Sequence, residues 1–210
     1  MSPRPPRRFP SVACPTPEQL TEAALRYLEK FAASESRLRR VLKNRLIRAA
    51  HAHPTWAEDT EEQARLAAHI ESLIVRYRDA GVLNDASFAA AKVVRLRRAG
   101  RSAQRIAAGL RADGVAEPLV RQALAHHANE SVDPEENSPD SAEALQDAEL
   151  KAARALARRR RLGPFREGDS SPERLRRETG ILLRAGFSYT TARQVLGRDA
   201  WDPETENGDT

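Results

Sequence analysis

The chain has 210 residues, 40% of them hydrophobic and 5% aromatic, with a formal net charge of +5 at pH 7. Sparse glycine, abundant alanine and the absence of alternating Val/Ile/Thr runs exclude a β-sandwich and predict an all-α protein whose cores are Ala and Leu at close helix contacts. One cysteine, Cys14, excludes an internal disulfide framework and a cysteine-based zinc site, and no apolar run suits a signal peptide or a membrane span, so a cytoplasmic location is expected.

Charge is segregated along the chain: net +7 over 1–50, −4 over 51–90, +6 over 91–128, −8 over 129–149, +9 over 150–198 and −5 beyond. Such alternation suits contact with a polyelectrolyte, nucleic acid or a charged protein filament, better than a small-molecule pocket. A solvated surface gives the same pattern, so the blocks alone do not decide between them.

Residues 1–15, rich in proline and arginine, read as a disordered basic arm. Thr16, Pro17 and Gln19 form a capping box with proline at the first helical position, opening a helix to about Ala33 with Leu20, Ala24, Tyr27, Leu28 and Phe31 inward. Ser34 starts a second helix, with Leu38, Val41, Leu42 and Ala49 inward and Arg37, Arg39, Arg40, Lys43 and Arg48 making a cationic outer face. Residues 51–59, with Pro54 and Trp56, read as a loop. Thr60 and Gln63 suggest another capping box, for a helix that buries Leu66, Ile70, Leu73, Ile74 and Tyr77 and stops at Gly81.

Three shorter helical patterns follow. Phe88, Ala89, Val93 and Leu96 share one face of the first, which places Arg95, Arg97 and Arg98 on its flanks and opposite side. Ser102 caps the second, with Ala103, Ile106, Ala107 and Leu110 inward; Gly114 ends it, and Pro118 starts the third, with Leu119, Val120, Ala123 and Leu124 inward. Residues 129–140 read as a flexible acidic linker. Asp140 and Glu143 can then cap a long helix containing Leu145, Ala148, Ala152, Ala155 and Leu156 and ending in Arg158, Arg159, Arg160 and Arg161. Ser171 and Pro172 open a helix that stops at Gly186, Ser188 opens a last short one, and 198–210 read as an acidic disordered tail.

An offset of 72 places Gly114 on Gly186, Leu110 on Leu182, Val115 on Phe187, Arg121 on Arg193, Gln122 on Gln194 and Leu124 on Leu196, in common helix phase. The expected architecture is therefore a tandem array of three three-helix, helix-turn-helix-like repeats, 16–83, 84–128 and 141–197, elongated and curved.

No phosphate-cradling glycine loop and no nucleophile motif is present, and the His51/His53 and His126/His127 pairs do not make a convincing metal site. An enzyme, a cofactor and a bound metal are not expected. The chemistry lies instead in two arginine groups, Arg95, Arg97, Arg98, Arg101 and Arg105, then Arg158, Arg159, Arg160 and Arg161. Arginines near helix C-termini are also favoured by the helix dipole, which explains several of them without a ligand.

The combination of Asp85, Phe88-Ala89, Val93, Arg97, Gly100, Arg105-Ile106, Leu110, Gly114-Val115 and Leu124 resembles the RecX family of bacterial RecA regulators. Ala24 to Leu28 with Ser36, Leu38, Arg39 and Arg40 resembles that family's first repeat, and Leu182 to Leu196 its last, so the resemblance spans roughly 17–197. It implies a non-enzymatic, monomeric helical-repeat protein. Its partner would be the RecA–DNA filament, with single-stranded or duplex DNA as a secondary ligand, and it would limit filament growth, ATP hydrolysis, strand exchange and coprotease activity. The nine arginines then become candidates for filament or DNA contact. Lys92 departs from the pattern, standing on the inward stripe where the family often has an aromatic, which suggests looser packing or a snorkelling lysine. The competing expectation is a stand-alone basic DNA-binding protein, although the third helices carry few side chains suited to reading base edges.

Overall fold

The computed structural model describes residues 13–130, 141–168 and 171–197. Every regular element among them is helical: α1 (Pro17–Leu28), α2 (Glu35–Ala52), α3 (Pro54–Glu58), α4 (Thr60–Asp79), α5 (Asp85–Arg98), α6 (Ala103–Ala112), α7 (Glu117–Asn129), α8 (Ser141–Arg160), a 3₁₀ turn (Gly163–Phe165), α9 (Pro172–Arg184) and α10 (Tyr189–Leu196). The expected all-α class is the one observed. No helix among the described residues is long and apolar enough to cross a membrane. The Asp140 cap, the tail, and most of the N-terminal arm and acidic linker lie outside the described residues. The chain divides into two compact units, Met1–Asp85 and Ala86–Thr210.

In the first unit, α1, α2 and α4 enclose Leu20, Leu38, Leu42, Leu66, Ile70, Leu73 and Ile74, each at most 1% exposed. Full burial of a side chain of this size contributes about 2 kcal/mol. The Thr16 box forms as expected: the Gln19 amide donates to Thr16 Oγ1 (3.3 Å) and the Thr16 amide to Gln19 Oε1 (3.2 Å). Three expectations are corrected. Phe31 is 54% exposed, because α1 ends at Leu28 and the inward stripe stops with it. Pro54 starts the short α3 where a loop was expected, its fixed φ and missing N–H suiting a first helical turn. Asp59, not Thr60, caps α4 by accepting from the Glu62 amide (3.0 Å), and the Gln63 side chain donates instead to the Ala57 carbonyl (2.6 Å).

In the second unit, α5–α7 surround Ala89, Val93, Ile106, Leu110, Val115 and Val120, while α8–α10 surround Ala153, Leu156, Leu182, Phe187, Ala192 and Val195. Helices α7 and α8 meet through Ala128, Ala144 and Ala148, where small side chains allow close approach. Lys92 is neither loose nor snorkelled: its ammonium donates to the Gly109 carbonyl (3.0 Å) and pairs with Asp113. The lysine thus joins α5 to the end of α6, a job its stem and charge divide between packing and pairing.

The repeat of glycines is a repeat of one helix end. At Gly114 and Gly186 the glycine amide donates to Arg111 and Leu183 carbonyls (both 2.8 Å), and the next amide reaches back to Leu110 (3.1 Å) and Leu182 (3.2 Å). This is the Schellman pattern, with φ of 79° and 86° at the two glycines. The same bonds close α5 at Gly100, from Gly100 to Arg97 (2.8 Å) and Arg101 to Leu96 (3.0 Å). Gly100 carries a second constraint, since a Cβ there would lie 2.7 Å from the Leu156 amide nitrogen of α8. Gly81 has a similar φ of 72° but open space where its Cβ would be. Gly81→Ala should therefore cost only the left-handed strain, about 1–2 kcal/mol, whereas Gly100→Ala should add the displacement of α8 for about 3 kcal/mol or more. Urea unfolding followed by circular dichroism measures both; equal losses would mean that the approach of α8 does not constrain Gly100.

Candidate functional site

The turn from α5 into α6 is held against α8 and the α9–α10 turn by a small set of polar contacts. Ser102, fully buried, caps α6 by accepting from the Arg105 amide (3.2 Å) and donates its hydroxyl to the Ala185 carbonyl (2.8 Å). Glu149 of α8 accepts from the Ala103 amide (3.0 Å) at the positive end of α6, and from the Arg97 guanidinium. The Arg97 side chain is 3% exposed, so the expectation of an outward Arg97 is corrected. It lies inside because Glu149, 52 residues later in the chain, supplies the countercharge at that face of α5.

Two further arginines cross the junction on its outer side. Arg105 donates to the Arg184 carbonyl at the end of α9 (2.6 Å), and Arg159 donates to the Ala99 carbonyl just past α5 (2.6 Å). Helix ends leave such carbonyls without intrahelical partners, and cations satisfy them both as donors and through the dipole. Between these crossings lies a cleft of about 250 Å³ whose lining includes Arg101, Arg105, Arg159, Arg160 and Arg184, floored by Ala99, Gly100, Leu156, Ile181 and Ala185. Among the described residues, no carboxylate lines it.

Of the nine arginines singled out from sequence, four, Arg101, Arg105, Arg159 and Arg160, are brought together here. Arg95 and Arg98 are exposed on α5 away from the cleft lining. Arg158 packs its guanidinium 5.2 Å from the Phe165 ring centre. Arg161 takes φ of 52°, the left-handed position closing α8, with its amide on the Arg158 carbonyl (3.2 Å) and the Leu162 amide on Ala157 (2.9 Å). Arg184 was not singled out. It stands alone among apolar neighbours in the last turn of α9, and only its place one residue before the repeated Ala185-Gly186 turn hints that it shares a surface with the turn after α5.

The described lining, arginines over small and aliphatic side chains, is suited to anions. Several guanidinium groups facing one small volume raise the local potential for an anionic partner and favour bidentate contact with oxyanions.

Comparison with known proteins is consistent with the residue pattern. Residues 84–124, which include α6, the turn before it and the first arginine group, match the family model described as RecX, second three-helix domain. The chain is 35% identical over 182 residues to the regulatory protein RecX of Myxococcus xanthus (strain DK1622), covering 86% of each chain. No solved structure gives a significant match.

The burial of Arg97 separates it energetically from the cleft arginines. Arg97→Ala leaves the Glu149 carboxylate without its buried partner and should destabilise the second unit by about 3–5 kcal/mol. Arg101→Ala and Arg160→Ala, at exposed positions outside any ion pair among the described residues, should each change stability by about 0.5 kcal/mol or less. Thermal and urea unfolding of the three variants tests this, and a silent Arg97→Ala would contradict the structural role.

Proposed function

The chain belongs to the RecX family of regulatory proteins, and from that premise we propose that it binds the RecA–DNA filament and limits its growth, lowering ATP hydrolysis, strand exchange and coprotease activity. The observation that carries the contact is the arginine cleft between the α5–α6 turn, α8 and α9, which no carboxylate among the described residues lines. A RecA filament on DNA is a repeating, highly charged surface, and a cationic cleft with ordered walls is suited to it both for steering and for docking. The contacts that hold the cleft together join helices distant in sequence, so its shape is set by the fold and not by one flexible loop.

The test is RecA-dependent ATP hydrolysis on single-stranded DNA with the full chain at sub-stoichiometric ratio to RecA. Inhibition by the wild type, reduced at least about tenfold in potency by Arg101→Ala/Arg160→Ala with the fold intact, is expected; removal of two desolvated cationic contacts at about 1 kcal/mol or more each sets that scale. No effect of the wild-type chain on RecA would sink the proposal. Sequence-specific duplex binding in the same preparations would favour the stand-alone DNA-binding alternative.

A further inference from the structure

Resting on the reading of the cleft as the filament contact, we infer that the same cleft is the docking surface for this chain's own acidic C-terminal segment, residues 199–210, which competes there with the filament. The first ground is where that segment starts. Gly197 ends α10, and a Cβ built on Gly163 would lie 3.0 Å from the Leu196 Cα, so the chain leaves α10 beside the 3₁₀ turn that follows α8. Gly163 is three residues past Arg160 of the cleft, a span of at most about 10 Å. Leu196 also shares its core with Leu156, which floors the cleft. Four residues beyond Gly197 reach about 13 Å, which brings Trp201 and the carboxylates on either side of it within range.

The second ground is complementarity. Beyond Arg198 the sequence carries Asp199, Asp202, Glu204, Glu206 and Asp209 and no lysine or arginine. The described lining of the cleft presents Arg101, Arg105, Arg159, Arg160 and Arg184, whose guanidinium forks suit carboxylates. Arg105 and Arg159 each place one N–H on a main-chain carbonyl at 2.6 Å, which orders the group and leaves its other donors for a ligand. Leu156, Ile181 and Ala185 give the cleft an apolar floor under this cationic rim. An indole flanked by acids matches such a surface, and Asp199, Trp201 and Asp202 supply that order.

The third ground is strength. Solvent-accessible arginine–carboxylate pairs are individually weak and screened by salt. A covalent tether of a few residues raises the effective concentration of the segment to the order of millimolar, which makes weak pairs sufficient for docking. The same weakness lets the segment yield to a filament, whose repeated charges engage more of the surface at once. Docking therefore sets a threshold for filament binding without abolishing it.

Trp56→Phe leaves Trp201 as the single tryptophan, and acrylamide quenching of its fluorescence in the full chain, without RecA or DNA, reads docking directly. Quenching at about 50 mM salt is expected to be at least about twofold weaker than at about 500 mM. It should also be at least about twofold weaker than in the same chain carrying Arg101→Ala/Arg160→Ala. Arg154→Ala/Arg177→Ala, which removes equal charge from exposed positions outside the cleft lining, should leave the shielding unchanged. Matched melting curves establish that both pairs fold. Equal quenching throughout, equal release by both pairs, or shielding that grows with protein concentration, as for docking onto a second copy, would each overturn the assignment. Ending the chain at Arg198 should lower the concentration for half-inhibition of RecA-dependent ATP hydrolysis at least about threefold, the factor for a cleft open about a third of the time. That gain should vanish in the Arg101→Ala/Arg160→Ala background; an equal gain in both backgrounds would trace it to overall charge and overturn the competition. If Trp201 is shielded but truncation leaves inhibition unchanged, the filament reading of the cleft fails while docking stands. If Trp201 is unshielded and the cleft pair still loses inhibition, docking fails while the filament reading stands.

Discussion

The Glu149 carboxylate is the contact on which the rest of the second unit's surface depends. It accepts from Arg97 near the end of α5 and from the Ala103 amide at the start of α6, and so fixes α8 against the turn between them. Its value lies in geometry more than in net stability. Burial removes hydration from both ions, and Arg97 Nε is buried with no hydrogen-bond partner among the described residues, so part of the guanidinium's desolvation is uncompensated. A pair of that kind adds little over a well-packed apolar substitute, yet removing one member is expensive. What it secures is a single register for α8 against α5 and α6, and therefore one disposition of the arginines on the other side of the same turn.

The surrounding contacts repeat that logic with uncharged groups. Gly100 lets the end of α5 approach the α8 backbone, and Ser102 spends one hydroxyl on capping α6 and on holding the α9–α10 turn. A Cβ at Gly186 would sit 2.6 Å from the Ser102 hydroxyl oxygen, so a glycine serves both as a left-handed helix end and as a close-packed surface. Alanines at 128, 144 and 148 bring α7 to α8 in the same way. The low aromatic content is thus matched by an architecture in which backbones come close and polar atoms at helix ends find partners across the junction.

Much of this was legible in the sequence because it is local. Ser34, Ser102, Ser171 and Ser188 stand one residue before their helices and cap them, and Gly114 and Gly186 share both sequence context and hydrogen-bond pattern. The apolar stripe of α4 matches its buried residues, and that of α6 does so apart from the half-buried Ala103, for the same reason. What was not legible depends on partners distant in the chain. Arg97 looks like any arginine near a helix end until Glu149 is brought beside it, and Lys92 looks misplaced on an apolar stripe until the end of α6 supplies Asp113. The cleft gathers arginines from runs that read as two separate groups, and draws in Arg184, which no run announces. Family membership supports regulation as the role, and the charge geometry is the ground for proposing the cleft as the point of contact.

Binding of the RecA–DNA filament through the arginine cleft is the proposal that ties these contacts to a regulatory role. Electron cryo-microscopy of the full chain bound to RecA on single-stranded DNA, at a resolution that places guanidinium groups, tests it most directly. Binding through the cleft would place acceptor oxygens of the filament within hydrogen-bond distance, about 2.7–3.2 Å, of at least two of Arg101, Arg160 and Arg184. A complex in which that cleft opens to solvent would contradict it.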